Sequence, residues 1–168
     1  MNNLLSKFLK FLTGEWVIFY IFKKEINPLS PLHINSTLKY TQKKISDEYY
    51  KISICENSTE ICSLRIIWGK EYKDNFRNYI PLKPNEAKII DVVTAKEFRG
   101  KGYIGKLLTY TENEMLSKGI TTLLARIWHS NKSSKKAFEK NGWTYEGFKL
   151  EIKLLNLFPI TFMSYRTK

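Results

Sequence analysis

A short glycine-rich turn is the part of this sequence best suited to bind a ligand. It reads Arg99-Gly100-Lys101-Gly102 and follows an apolar run at residues 89–93. The run predicts a strand covered on both faces, and the residues after the turn predict an amphipathic helix. Glycines at a helix N-terminus let backbone N–H groups approach an anion, and the helix dipole favours negative charge there. The segment therefore predicts a phosphate or pyrophosphate site.

The spacing of these glycines excludes two common nucleotide sites. A dinucleotide-binding fold needs Gly-x-Gly-x-x-Gly followed by an acidic residue after the next strand, and residues 128–131 contain none. A P-loop needs Gly-Lys-Ser/Thr, which is absent here. The sequence thus argues against both NAD and ATP.

A second motif, at residues 131–143, follows the next predicted strand and reads NKSSKKAFEKNGW. The two motifs in this order resemble the GNAT superfamily of acyl-CoA-dependent N-acyltransferases. The first resembles their Arg/Gln-x-x-Gly-x-Gly/Ala signature, although Ile104 stands where the second Gly/Ala is usual and Gly105 follows it. The second resembles Asn-x-x-Ala/Ser, an aromatic residue, then Glu-Lys-x-Gly-Phe/Trp. The resemblance covers about residues 87–148, while the first 86 match only in predicted strand order.

The resemblance implies acetyl-CoA, or another acyl-CoA, as the donor. The pyrophosphate would lie on the backbone N–H groups of residues 99–105, and the pantetheine arm between strands 89–94 and 121–128. Asn131 would contact that arm, although it also suits the N-cap of the following helix. The implied cofactor-binding residues are Val92, Val93, Thr94, Arg99, Gly100, Lys101, Gly102, Tyr103, Ile104, Gly105, Asn131, Ser134 and Phe138.

The acid that protonates the leaving thiolate is not evident. The family often has a tyrosine at the position of Phe138, which has no hydroxyl. Tyr103, Tyr145 or water are alternatives, and a thiol with a pKa near 8.5 also leaves tolerably without an acid.

The acceptor amine must lose a proton, and two residues are candidates for the catalytic base. Asp91 is the first, because a carboxylate within an apolar central strand is costly to bury without a purpose or a partner. A structural ion pair with Arg65, Arg126 or a lysine is the alternative. His129, just before Asn131, is the second candidate, and a purely structural histidine is its alternative.

The activity that the resemblance implies is acetyl transfer to the primary amine of a small molecule or amino sugar by direct attack. A protein or peptide amine is an alternative acceptor. A non-catalytic acyl-CoA-binding protein of the same fold is an alternative from another class, which Phe138 favours. We expect the loop at residues 69–86, with its aromatic side chains, to line the acceptor side.

The elements that would position these residues form one domain over residues 1–168, of mixed α/β class. We expect a mostly antiparallel sheet with a central parallel strand pair and helices on both faces. Strands are predicted at residues 16–22, 49–55, 60–68, 89–94, 121–128, 143–155 and 160–166. Helices are predicted at residues 1–14, 38–45, 103–117 and 133–140.

Composition limits the partners and the compartment. The chain of 168 residues has a net charge of +12, which suits acidic partners or simply a solvated lysine-rich surface. No nucleic-acid motif is present. The apolar stripe of residues 1–12 either docks on the core or lies on an anionic membrane. Cys55 and Cys62 are interpreted as free thiols without a metal, and with no convincing secretory signal this predicts a cytoplasmic protein.

Overall fold

Eight strands form one mixed sheet in this computed structural model, which describes residues 16–27, 38–69, 82–154 and 158–165. The strands are β1 (Trp16–Glu25), β2 (Lys39–Ser46), β3 (Tyr49–Glu56), β4 (Thr59–Trp68), β5 (Glu86–Thr94), β6 (Thr122–Trp128), β7 (Thr144–Leu154) and β8 (Phe158–Tyr165). Their order across the sheet is β2-β3-β4-β5-β6-β1-β7-β8. The first strand along the chain therefore lies between the sixth and the seventh.

The centre of the sheet is a parallel pair, as predicted. β5 and β6 pair from Glu86 with Thr122 to Ile89 with Ala125, and the other neighbouring strands are antiparallel. A parallel pair needs a crossover connection, and helix α1 (Tyr103–Leu116) supplies it. The mixed α/β fold with a central parallel pair is thus confirmed.

Two helices pack beside one another over this sheet. Leu107, Leu108 and Met115 of α1 are buried, and α1 contacts β3, β4 and β5. Helix α2 (Lys132–Lys140) contacts α1 and buries Phe138 against Phe22 of β1. The predicted helices at residues 103–117 and 133–140 are confirmed, whereas residues 1–14 lie outside the described part of the chain, as does most of the 69–86 loop.

The helix predicted at residues 38–45 is wrong, because this segment is strand β2. It pairs antiparallel with β3 from Lys39 with Cys55 onward. Tyr40 stacks on Tyr110 of α1, with ring centroids 4.3 Å apart. Pairing with a neighbouring strand and packing on a distant helix override the local preference.

The expectation that β5 is covered on both faces is also wrong. Ile90 is 42% exposed and Val93 57%. Arg65 of β4 pairs with Asp91, but the next residue pairs with Ile89, so Ile90 is the extra residue of a β-bulge. The bulge turns side chains out of the core at the point where β6 stops pairing.

The predicted strands at residues 49–55 and 60–68 pair as the β3–β4 hairpin, which turns at Asn57 and Ser58, both with positive φ values. Cys55 and Cys62 are free thiols. Within the described ranges, no helix is long and apolar enough to span a bilayer.

Candidate functional site

The inner cleft is an opening between β5 and β6, which stop pairing after Ile89 and Ala125. It has a volume of about 280 Å³. Its lining residues are Phe19, Ile89, Ile90, Asp91, Val92, Ala125, Arg126, Ile127, Trp128, Asn131, Ser134 and Phe138. The bulge at Ile90 and the loss of parallel pairing together create a slot through the middle of the sheet.

The outer cleft, of about 910 Å³, continues from the inner one and shares Val92, Asn131 and Ser134 with it. It lies between the glycine turn with the start of α1 on one side and α2 on the other. Its other lining residues are Val93, Thr94, Phe98, Arg99, Gly100, Gly102, Tyr103, Ile104, Gly105, Lys106, Ser133, Ala137, Lys140 and Asn141. The structure therefore brings most of the predicted cofactor-binding residues to one continuous channel.

The glycine turn is shaped to leave its backbone accessible. Gly100 and Gly102 have φ values of +78° and +79°, and a Cβ atom added to either would meet no atom within 4 Å. The N–H of Lys106 donates to the carbonyl of Gly102 over 3.4 Å, so the N–H groups of residues 103–105 precede the first hydrogen bond inside the helix. Residues 103–105 line the outer cleft, and unpaired N–H groups at a helix N-terminus suit an anion.

The charges around the outer cleft are of one sign. Arg99, Lys106 and Lys140 are cationic, and none of the described residues lining this cleft is acidic. Arg99 also donates from Nε to the carbonyl of Thr94 over 3.1 Å, which ties the turn to the end of β5. This potential suits a ligand with several phosphate charges.

Gly105 has a packing role that the sequence did not reveal. A Cβ atom at this position would lie 2.6 Å from Oδ1 of Asn141, just beyond the C-terminal end of α2. The absence of a side chain at Gly105 thus lets the two walls of the outer cleft approach one another.

Asn131 caps the N-terminus of α2, which is one of the two roles predicted for it. Its Oδ1 accepts from the N–H of Ser134 over 3.1 Å and from Oγ of Ser133 over 2.9 Å. The cap uses the amide oxygen only, so the amide nitrogen is not engaged in it. Phe138 lines the inner cleft and packs on Trp143 with ring centroids 4.8 Å apart.

Asp91 lies in the inner cleft, but it is not the buried carboxylate that was expected. Its side chain is 36% exposed, because the bulge turns this part of β5 outward. It accepts a hydrogen bond from Nε of Arg65 over 2.8 Å and a closer one from Nη2. This hydrogen bond raises the pKa of Arg65 further above its usual range. The ion pair with Arg65 was the alternative interpretation of Asp91.

His129 does not share the inner cleft with Asp91. It is exposed, its ring centroid is 6.0 Å from that of Trp16, and its backbone N–H donates to the carbonyl of Ile18. It is not among the described residues that line either cleft. Of the two tyrosines considered as acids, Tyr103 lines the outer cleft, while Tyr145 packs on Phe22.

Seven lining residues of the inner cleft were not predicted as site residues, namely Phe19, Ile89, Ile90, Ala125, Arg126, Ile127 and Trp128. Phe19 comes from β1, while Arg126 and Trp128 come from β6, and the guanidinium of Arg126 lies 4.9 Å from the centre of the Phe19 ring. No local signal identifies Phe19, because its place depends on the insertion of β1 beside β6.

Comparison with known proteins agrees with this geometry. A model of the acetyltransferase (GNAT) family matches residues 41–143. An acetyltransferase of that family from Colwellia psychrerythraea is similar in structure, with a TM-score of 0.56 and 12% identity over 98% of this chain and 62% of its own. A functionally unknown protein from Staphylococcus epidermidis has a TM-score of 0.62 and 12% identity, over 90% of this chain and 66% of its own. This chain spans less than two thirds of the length of either protein. At 12% identity, each likeness shows a shared fold and nothing more. No curated protein matches the sequence.

Proposed function

This chain belongs to the GNAT family of acetyltransferases, and we propose that it transfers an acetyl group from acetyl-CoA to the primary amine of a small molecule or amino sugar. One observation carries the proposal. A single channel runs from an open, positively charged glycine turn to a slot between two diverging strands. Such a channel suits a long donor with phosphates at one end and a reactive group at the other.

The phosphate end of the donor belongs at the glycine turn. The N–H groups of residues 103–105 and the helix dipole would hold the pyrophosphate, with Arg99 and Lys106 beside it. When bound, acetyl-CoA would supply the activated acetyl group, as a thioester.

The pantetheine arm belongs in the inner cleft. Beyond Ile89, β5 no longer pairs with β6. Backbone groups of Val92, Val93 and Thr94 on that edge of the strand are therefore open to a ligand. A chain of amide groups would pair with this edge as an added strand does. Asn131 would add its amide nitrogen from the start of α2.

The chemistry is a direct displacement. The amine nitrogen attacks the thioester carbon, and backbone N–H groups of β5 would stabilise the oxyanion. The C–N bond forms, the C–S bond breaks, and the proton of the ammonium passes to a base, for which Asp91 remains our candidate. His129 is the weaker candidate, because it lies beside Trp16 instead of the cleft.

The departing thiolate meets no hydroxyl at Phe138. Ser134 lies one helical turn earlier on the same face of α2 and lines both clefts. We propose that its hydroxyl, or a water molecule, donates a hydrogen bond to the thiolate sulfur.

Calorimetric titration with acetyl-CoA tests the donor site. Gly102→Glu places a carboxylate in the proposed phosphate site and should abolish binding. Gly119→Glu is a matched control, because Gly119 has the same φ of +79°, has open space around it and follows the other end of α1. Equal affinities of the two variants would refute the placement of the phosphates.

A thiol-release assay over a panel of amines tests the activity. Amino sugars, amino acids and peptides belong in the panel, and release of CoA that depends on an amine is expected. Tight binding of acetyl-CoA without acetylation of any amine would favour the non-catalytic alternative instead.

A further inference from the structure

Strand β7 buries its charged side chains more deeply than its apolar ones, which is the reverse of an ordinary surface strand. Lys149 is 1% exposed and Glu151 9%, and Nζ of Lys149 lies 2.5 Å from Oε1 of Glu151. The alternate residues, Leu150 and Ile152, point to the other face. The charged side of the strand is thus the more buried one.

The apolar residues of β7 continue across two neighbouring strands. Trp16 of β1 pairs with Ile152, which pairs with Ile160 of β8, and Ile18 pairs with Leu150, which pairs with Phe162. Directly paired residues share a face of the sheet. We define the apolar face as these six residues: Trp16, Ile18, Leu150, Ile152, Ile160 and Phe162.

The apolar face is accessible to a partner. Trp16 is 52% exposed, Ile160 49% and Phe162 56%, while the other three residues are partly buried. A contiguous exposed apolar patch of this kind marks an interaction surface. Apart from the indole N–H of Trp16, its side chains contain no hydrogen-bonding group.

A basic helix borders the apolar face. Helix α2 lies on the same side of the sheet, because Nζ of Lys135 is 5.2 Å from the ring centre of Tyr20, two residues along β1 from Ile18. Lys132 and Lys136 of this helix are exposed. With four lysines and one glutamate, this helix carries a net positive charge, as does the chain as a whole at +12.

We propose that the apolar face, with the adjoining lysines of α2, docks on the surface of an anionic lipid bilayer. Protein interfaces need about one hydrogen bond per 100–200 Å², which this face does not offer, whereas the apolar boundary of a bilayer needs none. Two copies of a chain with this charge repel one another, whereas anionic headgroups attract it. A partly exposed tryptophan also suits the membrane interface.

Co-sedimentation with vesicles tests the proposal on the full chain. We expect binding to vesicles of phosphatidylcholine mixed with phosphatidylglycerol, much weaker binding to phosphatidylcholine alone, and loss of binding with rising salt. The double variant Ile160→Ser, Phe162→Ser should partition about tenfold or more weakly. Ile45→Ser on β2 is the matched control, because Ile45 is equally exposed at 49% but lies at the other edge of the sheet; it should bind as the wild type does.

Unchanged melting temperature and acetyl-CoA affinity would show that both variants fold. Equal vesicle binding by the double variant and the wild type would overturn the proposal, as would the absence of binding by the wild type. Light scattering provides an independent check. A wild-type dimer that becomes a monomer in the double variant, without any vesicle binding, would show that the apolar face joins two copies instead.

Discussion

Replacing Lys24 by methionine should destabilise this protein strongly, because Lys24 neutralises a buried carboxylate. Nζ of Lys24 donates to both carboxylate oxygens of Glu112, over 2.7 and 2.8 Å, and to the carbonyl of Asn141 over 2.8 Å. One ammonium group thus joins β1, α1 and the residue that follows α2. It holds the two helices that form the walls of the outer cleft.

The size of the loss in stability follows from the burial of the Lys24–Glu112 pair. Removing one partner of a buried ion pair costs about 3–5 kcal/mol, because the other charge remains uncompensated. The side chains of Lys24 and Glu112 are 21% and 11% exposed, so some water reaches the pair. We therefore expect the lower end of that range, about 3 kcal/mol at neutral pH, which lowers the melting temperature by about 6–12 °C in a chain of this size.

The loss of stability in Lys24→Met should depend on pH. Burial raises the pKa of Glu112 above its ordinary value, and Lys24 opposes that shift. Without Lys24, the pKa of Glu112 in the folded protein rises further, while that in the unfolded chain is unchanged. The folded variant then binds the proton more tightly, so its stability falls as pH rises between the two pKa values. The deficit of Lys24→Met should shrink in mild acid, where Glu112 becomes protonated.

Urea denaturation and calorimetry at neutral and mildly acidic pH measure both effects. Adding Glu112→Gln to Lys24→Met removes the stranded charge and should restore part of the stability. Lys44→Met is the control, because Lys44 and Asp47 form an exposed pair, and it should leave the melting temperature unchanged. A loss of stability in Lys24→Met no larger than that in Lys44→Met, or an equal deficit at both pH values, would show that Lys24 does not neutralise a buried Glu112.

Three further predictions concern the clefts. Gly105→Ala should lower stability by about 1–3 kcal/mol in urea denaturation, since its Cβ would lie 2.6 Å from Asn141, and adding Asn141→Ala should restore part of the loss. Arg65→Ala should cost less than about 1 kcal/mol, because the pair with Asp91 is exposed; a larger loss of melting temperature would show a structural pair. Asn131→Ala should cost about 1 kcal/mol through its lost helix cap, and an acetyl-CoA affinity equal to that of the wild type would show that capping is its only role.

Local features of this protein were predictable from the sequence. The glycine turn, the helix that follows it and the Asn131 cap each depend on neighbouring residues, whose conformational preferences act over a few positions. The β3–β4 hairpin is local for the same reason. These features, with the order of the two motifs, were sufficient to identify the family from a single sequence.

Only the tertiary structure decided how distant segments meet. The segment at residues 38–45 has weak local preferences, so pairing with β3 made it a strand. The bulge at Ile90 depends on the register of β5 against β4, which turned Asp91 outward to Arg65. The Lys24–Glu112 pair spans 88 positions in the sequence.

The placement of β1 in the sheet was decided by the tertiary structure, although its strand conformation was predictable from the sequence. Its apolar residues predicted a strand, but nothing near Trp16–Glu25 specifies insertion between β6 and β7. That insertion brings Phe19 to the inner cleft and aligns Trp16 and Ile18 with the apolar residues of β7 and β8. Strand propensity is a property of a segment, whereas the choice of partner strands depends on burial and hydrogen bonding across the whole sheet.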